Sequence, residues 1–133
     1  MEFKVATAPD LPSVQTDPDR APRCLQSILF HARKFRTGGP ITLKVSLAPG
    51  TSGAVAFAVS YLGARVSPDE LEASLDLYYP ARIRRDQVMG TTGLGLGLVR
   101  EVARLIGGEL DFQSTDSGQA TITLLYAPAE AKA

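Results

Sequence analysis

Hydrophobic and polar positions change period several times along this chain, and each change marks an element. Residues 2–7, EFKVAT, alternate with period two and predict a short strand at a sheet edge; PDLPSVQTDPD, residues 9–19, predicts an irregular connection. Ala21, Leu25, Ile28, Ala32 and Phe35 then form one apolar helical stripe, broadened by Cys24 and Leu29, so a helix runs to about Arg36. Its start has two readings: Asp17 as the N-cap with Pro18 in the first helical position, or a later start with Pro22 in that position. TGGP, residues 37–40, terminates it.

ITLKVSL (41–47) and AVAFAVS (54–60) read as two strands of a hairpin joined by APGTSG, and the second is apolar enough on both faces to lie centrally beneath helices. Ser67, Pro68 and Glu70 form a capping box for a helix over 68–77. Beyond Tyr78 and Tyr79, PARIRRDQVMGTT (80–92) is basic and rich in breakers and reads as a mobile loop, tethered by Ile83, Val88 and Met89. Leu94, Leu98, Val102 and Leu105 predict the apolar face of a further helix, widened by Val99 and Ile106 and capped by Gly107 and Gly108. Strands over 109–114 and 120–127, separated by TDSGQ, close the domain. Residues 1–128 therefore form one unit and 129–133 a flexible tail.

This order does not repeat a regular βαβ unit. An α/β two-layer sandwich is expected, with a mixed sheet covered on one face by three helices, in preference to a doubly wound fold.

Composition narrows the function classes. A chain of 133 residues suits one domain, and a formal net charge of zero gives no overall attraction to nucleic acid or to an anionic membrane. The single cysteine, Cys24, excludes an internal disulfide framework and fits a buried apolar position. No stretch approaches the roughly 20 apolar residues of a bilayer span, and no signal peptide is evident. A cytoplasmic location is expected, either alone or as the cytosolic portion of a longer or membrane-associated protein. No Ser/His/acid set, paired acids or metal-ligand cluster is visible.

Gly90 to Gly108, GTTGLGLGLVREVARLIGG, is the stretch with the most chemistry in it. A glycine segment before a helix presents unpaired backbone N–H groups to a phosphate, and it equally suits a loop packed tightly against a sheet.

Four patterns in order give this stretch a context: DPDRAPRCLQSILFHARKF, AVAFAVSYLGARVSPDELEASLDLYYP, GTTGLGLGLVREVARLIGGELDFQS and SGQATITLLYAP. Together they span nearly the whole chain. They resemble the catalytic ATP-binding domain of bacterial sensor histidine kinases, within the group that includes gyrase B, Hsp90 and MutL, and imply its Bergerat-type sandwich. The resemblance places a magnesium-ligating Asn at the position of His31 and an adenine-reading Asp at the position of Tyr61. An imidazole suits magnesium poorly compared with a hard oxygen. At this position a hydrogen-bonded or partly exposed structural histidine is expected. Tyr61 is larger and neutral, and its ring can fill the base pocket rather than read the base.

Gly63 retains a family glycine, while Arg65 replaces a small residue and reads as a surface or phosphate-facing cation. Gly90, Gly93 and Gly95 match the family's second glycine box. Arg82, Arg84 and Arg85, with Arg33 and Lys34, either face a triphosphate or form a solvated charge run. The resulting expectation is a degenerate or vestigial nucleotide site comprising His31, Lys34, Tyr61, Gly63, Arg65, Gly90, Gly93 and Gly95, with no catalytic or metal-binding residue. No cofactor is expected, with weak binding of ATP or ADP and magnesium as the alternative. The implied partner is a signalling protein, such as a histidine-kinase dimerisation domain or a response regulator, without nucleic acid or direct membrane insertion.

Overall fold

The computed structural model describes residues 3–9, 11–14, 16–48, 53–64 and 96–127. The helix expected over 68–77, Tyr78, Tyr79 and the loop over 80–92 lie outside the described residues. Seven elements are described: β1 (Phe3–Thr7), α1 (Arg20–Phe35), β2 (Arg36–Leu47), β3 (Val55–Gly63), α2 (Leu96–Leu105), β4 (Gly108–Ser114) and β5 (Gln119–Tyr126). They build one five-stranded mixed sheet in the order β1-β2-β3-β5-β4, parallel between β1 and β2 and antiparallel elsewhere. Both described helices pack on one face of it.

The start of α1 falls between the two readings: the helix begins at Arg20, with Asp19 in the N-cap position and no cap bond from its side chain, and Asp17 supports the turn that leads into it. Asp17 Oδ1 accepts the Asp19 N–H at 2.8 Å and the Arg20 N–H at 3.0 Å, and the Asp17 carbonyl accepts the Ala21 N–H at 3.0 Å. A carboxylate thus satisfies two of the donors that a helix start leaves without partners, with Pro18 where no N–H is needed. Those bonds hold the Asp17 carboxyl below its ordinary range, led by the Arg20 N–H.

Period-two patterning sets the sheet's inner face. Val59 of β3 lies beside Leu43 of β2 and Ile122 of β5, and Ile122 lies beside Phe112 of β4, so one apolar row crosses four strands. Ile28 and Ala32 of α1 and Ala103 of α2 close over this face and are fully buried with Val59 and Ile122. Each buried Ile or Leu contributes about 1.5–3 kcal/mol to folding, which is what commits the helices to this side.

Three expectations are corrected. β1, α1 and β2 do form a βαβ unit, because β1 pairs with β2 in parallel and α1 makes the crossover. The strand expected over 41–47 begins earlier: β2 starts at Arg36, takes in TGGP, and pairs with the end of β3 through two register shifts. Leu105 is 84 % exposed, because α2 turns Leu96, Val99 and Ala103 inward and leaves Leu98 and Val102 only half-buried. Two apolar stripes compete on that short helix, and the small Ala103 allows the closer approach to the core. No helix among the described residues is long and apolar enough to cross a membrane.

Candidate functional site

The C-terminal half of α1 lies over the end of β3, and this brings His31 to Tyr61. Helical spacing places Phe35 on the same side of α1 as His31, one turn on. The two rings meet tilted by 40°, 4.6 Å apart between centroids. Across the layer, His31 meets Tyr61 edge-on at 6.4 Å and Phe112 edge-on at 6.0 Å. Tyr61 is 4 % exposed and Phe112 7 %, so the imidazole sits in a cage of three aromatic side chains, two of them in the core. Aromatic pairs at such separations add about 0.5–1.5 kcal/mol each beyond their buried area.

This environment explains the electrostatics. Desolvation pulls His31 down from 6.5 to about 4, because the rings supply no charge to replace water around an imidazolium. Desolvation likewise pushes the Tyr61 phenol up to about 12. Both groups are uncharged near neutral pH.

A pH dependence follows with a definite sign. His31 binds its proton more weakly in the fold than in the unfolded chain, so its contribution to stability is complete above about pH 6.5 and is lost as pH falls toward 4. Between pH 7.5 and 4.5 this amounts to about 2 kcal/mol after allowance for its partial exposure. Urea unfolding of the wild type and of His31→Phe at both pH values measures it. The wild type should lose about 2 kcal/mol more than the variant, and equal losses would contradict the aromatic cage.

Gly63 has a structural task in this arrangement. A Cβ on Gly63 would stand 3.0 Å from the Phe35 carbonyl oxygen and 3.1 Å from Cε2 of Tyr61, so a glycine lets the tyrosine ring and the end of α1 close together. Its N–H donates to the Gly118 carbonyl at 2.9 Å, tying β3 to the turn between β4 and β5. Lys34 is exposed and has no described contact with His31 or Tyr61. Arg65, Gly90, Gly93 and Gly95 lie outside the described residues, as do Arg82, Arg84 and Arg85. The structure thus brings together His31, Tyr61 and Gly63, and adds two residues that the site prediction did not include, Phe35 and Phe112. Phe35 had a signal in its spacing from His31; Phe112 had only its alternation in ELDFQS.

The described side chains do not fit a magnesium ion at this position. Around His31 the donor set is aromatic, and no group of three His, Cys, Asp or Glu side chains capable of holding a metal occurs among the described residues. Magnesium takes oxygen ligands in octahedral geometry, which the cage does not offer.

Comparison with known proteins extends the picture beyond this cage. The model of the histidine kinase-, DNA gyrase B- and HSP90-like ATPase family matches residues 16–131. The aerobic respiration control sensor protein ArcB of Escherichia coli (strain K12) is 30 % identical over 135 residues, covering 99 % of this chain and 17 % of ArcB. The histidine protein kinase DivJ of Caulobacter vibrioides is 33 % identical over 119 residues, covering 86 % of this chain and 19 % of DivJ. The chain therefore spans under a fifth of the length of these two relatives. Among solved structures, full-length ShkA in complex with AMPPNP superposes with a TM-score of 0.76 at 26 % identity, covering 99 % of this chain and 26 % of ShkA. The mycobacterial sensor histidine kinase MprB gives 0.71 at 22 % identity over 96 % of this chain and 83 % of that one, a likeness of fold. The family model covers well over half of the residues and the fold superposes on solved histidine kinases, and the chain belongs to the histidine kinase-, DNA gyrase B- and HSP90-like ATPase family.

Proposed function

We propose that this chain is a degenerate histidine-kinase ATPase-like domain that acts as a regulatory or protein-interaction module in two-component signal transduction, with weak or absent ATP binding. The observation that carries this reading is the aromatic cage itself. His31 and Tyr61 stand where the family resemblance places an Asn for magnesium and an Asp for adenine; the half-buried His31 packs against Phe35, Tyr61 and Phe112, and Tyr61 is itself buried. An adenine amino group needs a buried acceptor, and a neutral phenol in an apolar layer is a poor substitute for a carboxylate. A partner such as a dimerisation domain or response regulator of a histidine kinase fits this reading, and residues 1–128 would act as one unit.

Calorimetric titration of magnesium–ATP into the folded chain tests the proposal. No saturable heat is expected in the micromolar range, and a micromolar dissociation constant would overturn it. A second reading, an atypical ATP-binding catalytic domain, draws on Gly90, Gly93 and Gly95 in the sequence and on the nucleotide complex of ShkA. It predicts that saturating nucleotide shifts the amide resonances of those glycines, and unchanged resonances would end it.

A further inference from the structure

The face of the sheet opposite the two described helices is organised by charge. Burial alternates along β5, so Thr121, Thr123 and Leu125 point away from the helices, and the register carries that outer face across the neighbouring strands. One row of outward positions runs Lys44, Ala58, Thr123, Asp111 across β2, β3, β5 and β4. Neither β3 nor β5 contains a charged residue. Between β2 and β4 the outward charges therefore stand only at the two margins, Lys44 on β2 and Asp111 with Glu109 on β4, and all three side chains are exposed. Among the described residues none of the three has an ion-pair partner.

An uncharged centre with charge confined to the rim is the anatomy of a protein interface. Ser60 and Thr121 already share a hydrogen bond at 3.2 Å, so excluding water from the centre leaves that pair bonded. A formal net charge of zero sets no overall repulsion between two copies. Symmetry then decides how they meet. A two-fold axis lying in the interface along the strand direction, midway between β3 and β5, carries β2 of one copy over β4 of the other and keeps each row in its place. Lys44 then faces the partner's Asp111, and Asp111 faces the partner's Lys44. An axis across the strands would set Lys44 against Lys44 and Asp111 against Asp111, so charge selects the first arrangement. Packed sheets stand about 10 Å apart, and the small side chains of Ala58 and Thr123 keep the faces close enough for a lysine to reach across.

We propose that this sheet face binds a second copy of the chain, forming a two-fold dimer held by reciprocal Lys44–Asp111 pairs around an uncharged centre. Four strands and three rows of outward residues span roughly 20 by 20 Å, or about 400 Å² on each copy. A standard interface covers about 800 Å² on each partner, so this dimer is a transient one, with a dissociation constant on the order of 100 µM. The face lies on the side of the sheet away from His31. Dimerisation is therefore independent of whether nucleotide binds.

The test is sedimentation of the full chain over a concentration series reaching about 1 mM, in which monomer should convert reversibly to dimer. Lys44→Glu and Asp111→Lys each set like charges face to face and should weaken self-association at least about tenfold. Both positions are exposed, so the fold is retained. Mixed together, the two variants should form a heterodimer with about the wild-type affinity, because every margin then meets the opposite charge. The double variant Lys44→Glu/Asp111→Lys should likewise recover the homodimer. A wild type that stays monomeric throughout the series overturns the proposal, as does a dimer indifferent to the single charge variants or a mixture of them that fails to pair.

Discussion

Tyr61→Asp, which places a carboxylate where the family resemblance has an adenine-reading aspartate, is expected to destabilise this domain by about 4–6 kcal/mol instead of conferring nucleotide binding. Removing a ring that is 4 % exposed leaves a cavity between His31 and Gly63. Truncation of a buried aromatic alone costs about 3–5 kcal/mol, and desolvation of the new carboxylate adds to that. A domain of this size has a total stability of about 5–15 kcal/mol, so the variant should unfold at much lower urea concentration or fail to fold. Tyr61→Phe, which retains the ring, should remain within about 1 kcal/mol of the wild type. Normal stability in Tyr61→Asp, or micromolar ATP binding by the His31→Asn/Tyr61→Asp pair, would show that the ring is not a structural plug.

The second large effect is expected at Gly118. Its φ is +92°, a conformation that side chains other than glycine's rarely adopt, and a Cβ there would collide with the Gly63 carbonyl oxygen. Backbone cannot move aside as a flexible side chain can, and the same two residues share the Gly63 N–H to Gly118 carbonyl bond. Gly118→Ala should therefore cost about 2–4 kcal/mol, read as a lowered urea midpoint with an unchanged slope. The loss should extend to the aromatic cage, with displaced ring resonances for Tyr61, since Gly63 joins that turn to the cage. A variant as stable as the wild type would mean that the turn relaxes freely and does not anchor the end of β3.

Much of the fold is legible in the sequence because local chemistry and tertiary demand agree there. The stripe from Ala21 to Phe35 has one possible inward face, and the Asp17 carboxylate that accepts the Asp19 and Arg20 N–H groups leading into the helix is legible from residue type alone. The alternation in ATITLLY sets that strand and its inward residues, and the apolar run AVAFAVS sets a strand in the interior of the sheet. The errors fall where local signals tie. In α2, Leu98–Val102–Leu105 and Leu96–Val99–Ala103 both follow helical spacing, and only the approach of α1 and β4 decides between them. TGGP carries three residues that break regular structure, yet the β3 edge offers hydrogen-bond partners that draw it into the sheet. Parallel pairing of β1 with β2 is a long-range outcome that no local pattern encodes. At the candidate site, the substitutions at His31 and Tyr61 are visible in one dimension, but their mutual packing with Phe112 depends on how β4 is placed beside β5.

The junction between α1 and β2 has a consequence for how this domain tolerates length variation. Phe35 is the last helical residue and Arg36 the first strand residue, and the Arg36 N–H still bonds back to Ala32 while Arg36 itself is in register with Gly63. Helix and strand are thus spliced without slack. One inserted residue would either rotate α1 by about 100° relative to the sheet or shift β2 by one position and exchange its two faces. Either adjustment would turn His31 away from its ring partners or expose Ile41. Natural indels and engineered linkers should be excluded from this splice, and the spacing from His31 to Arg36 should behave as a fixed ruler within the domain.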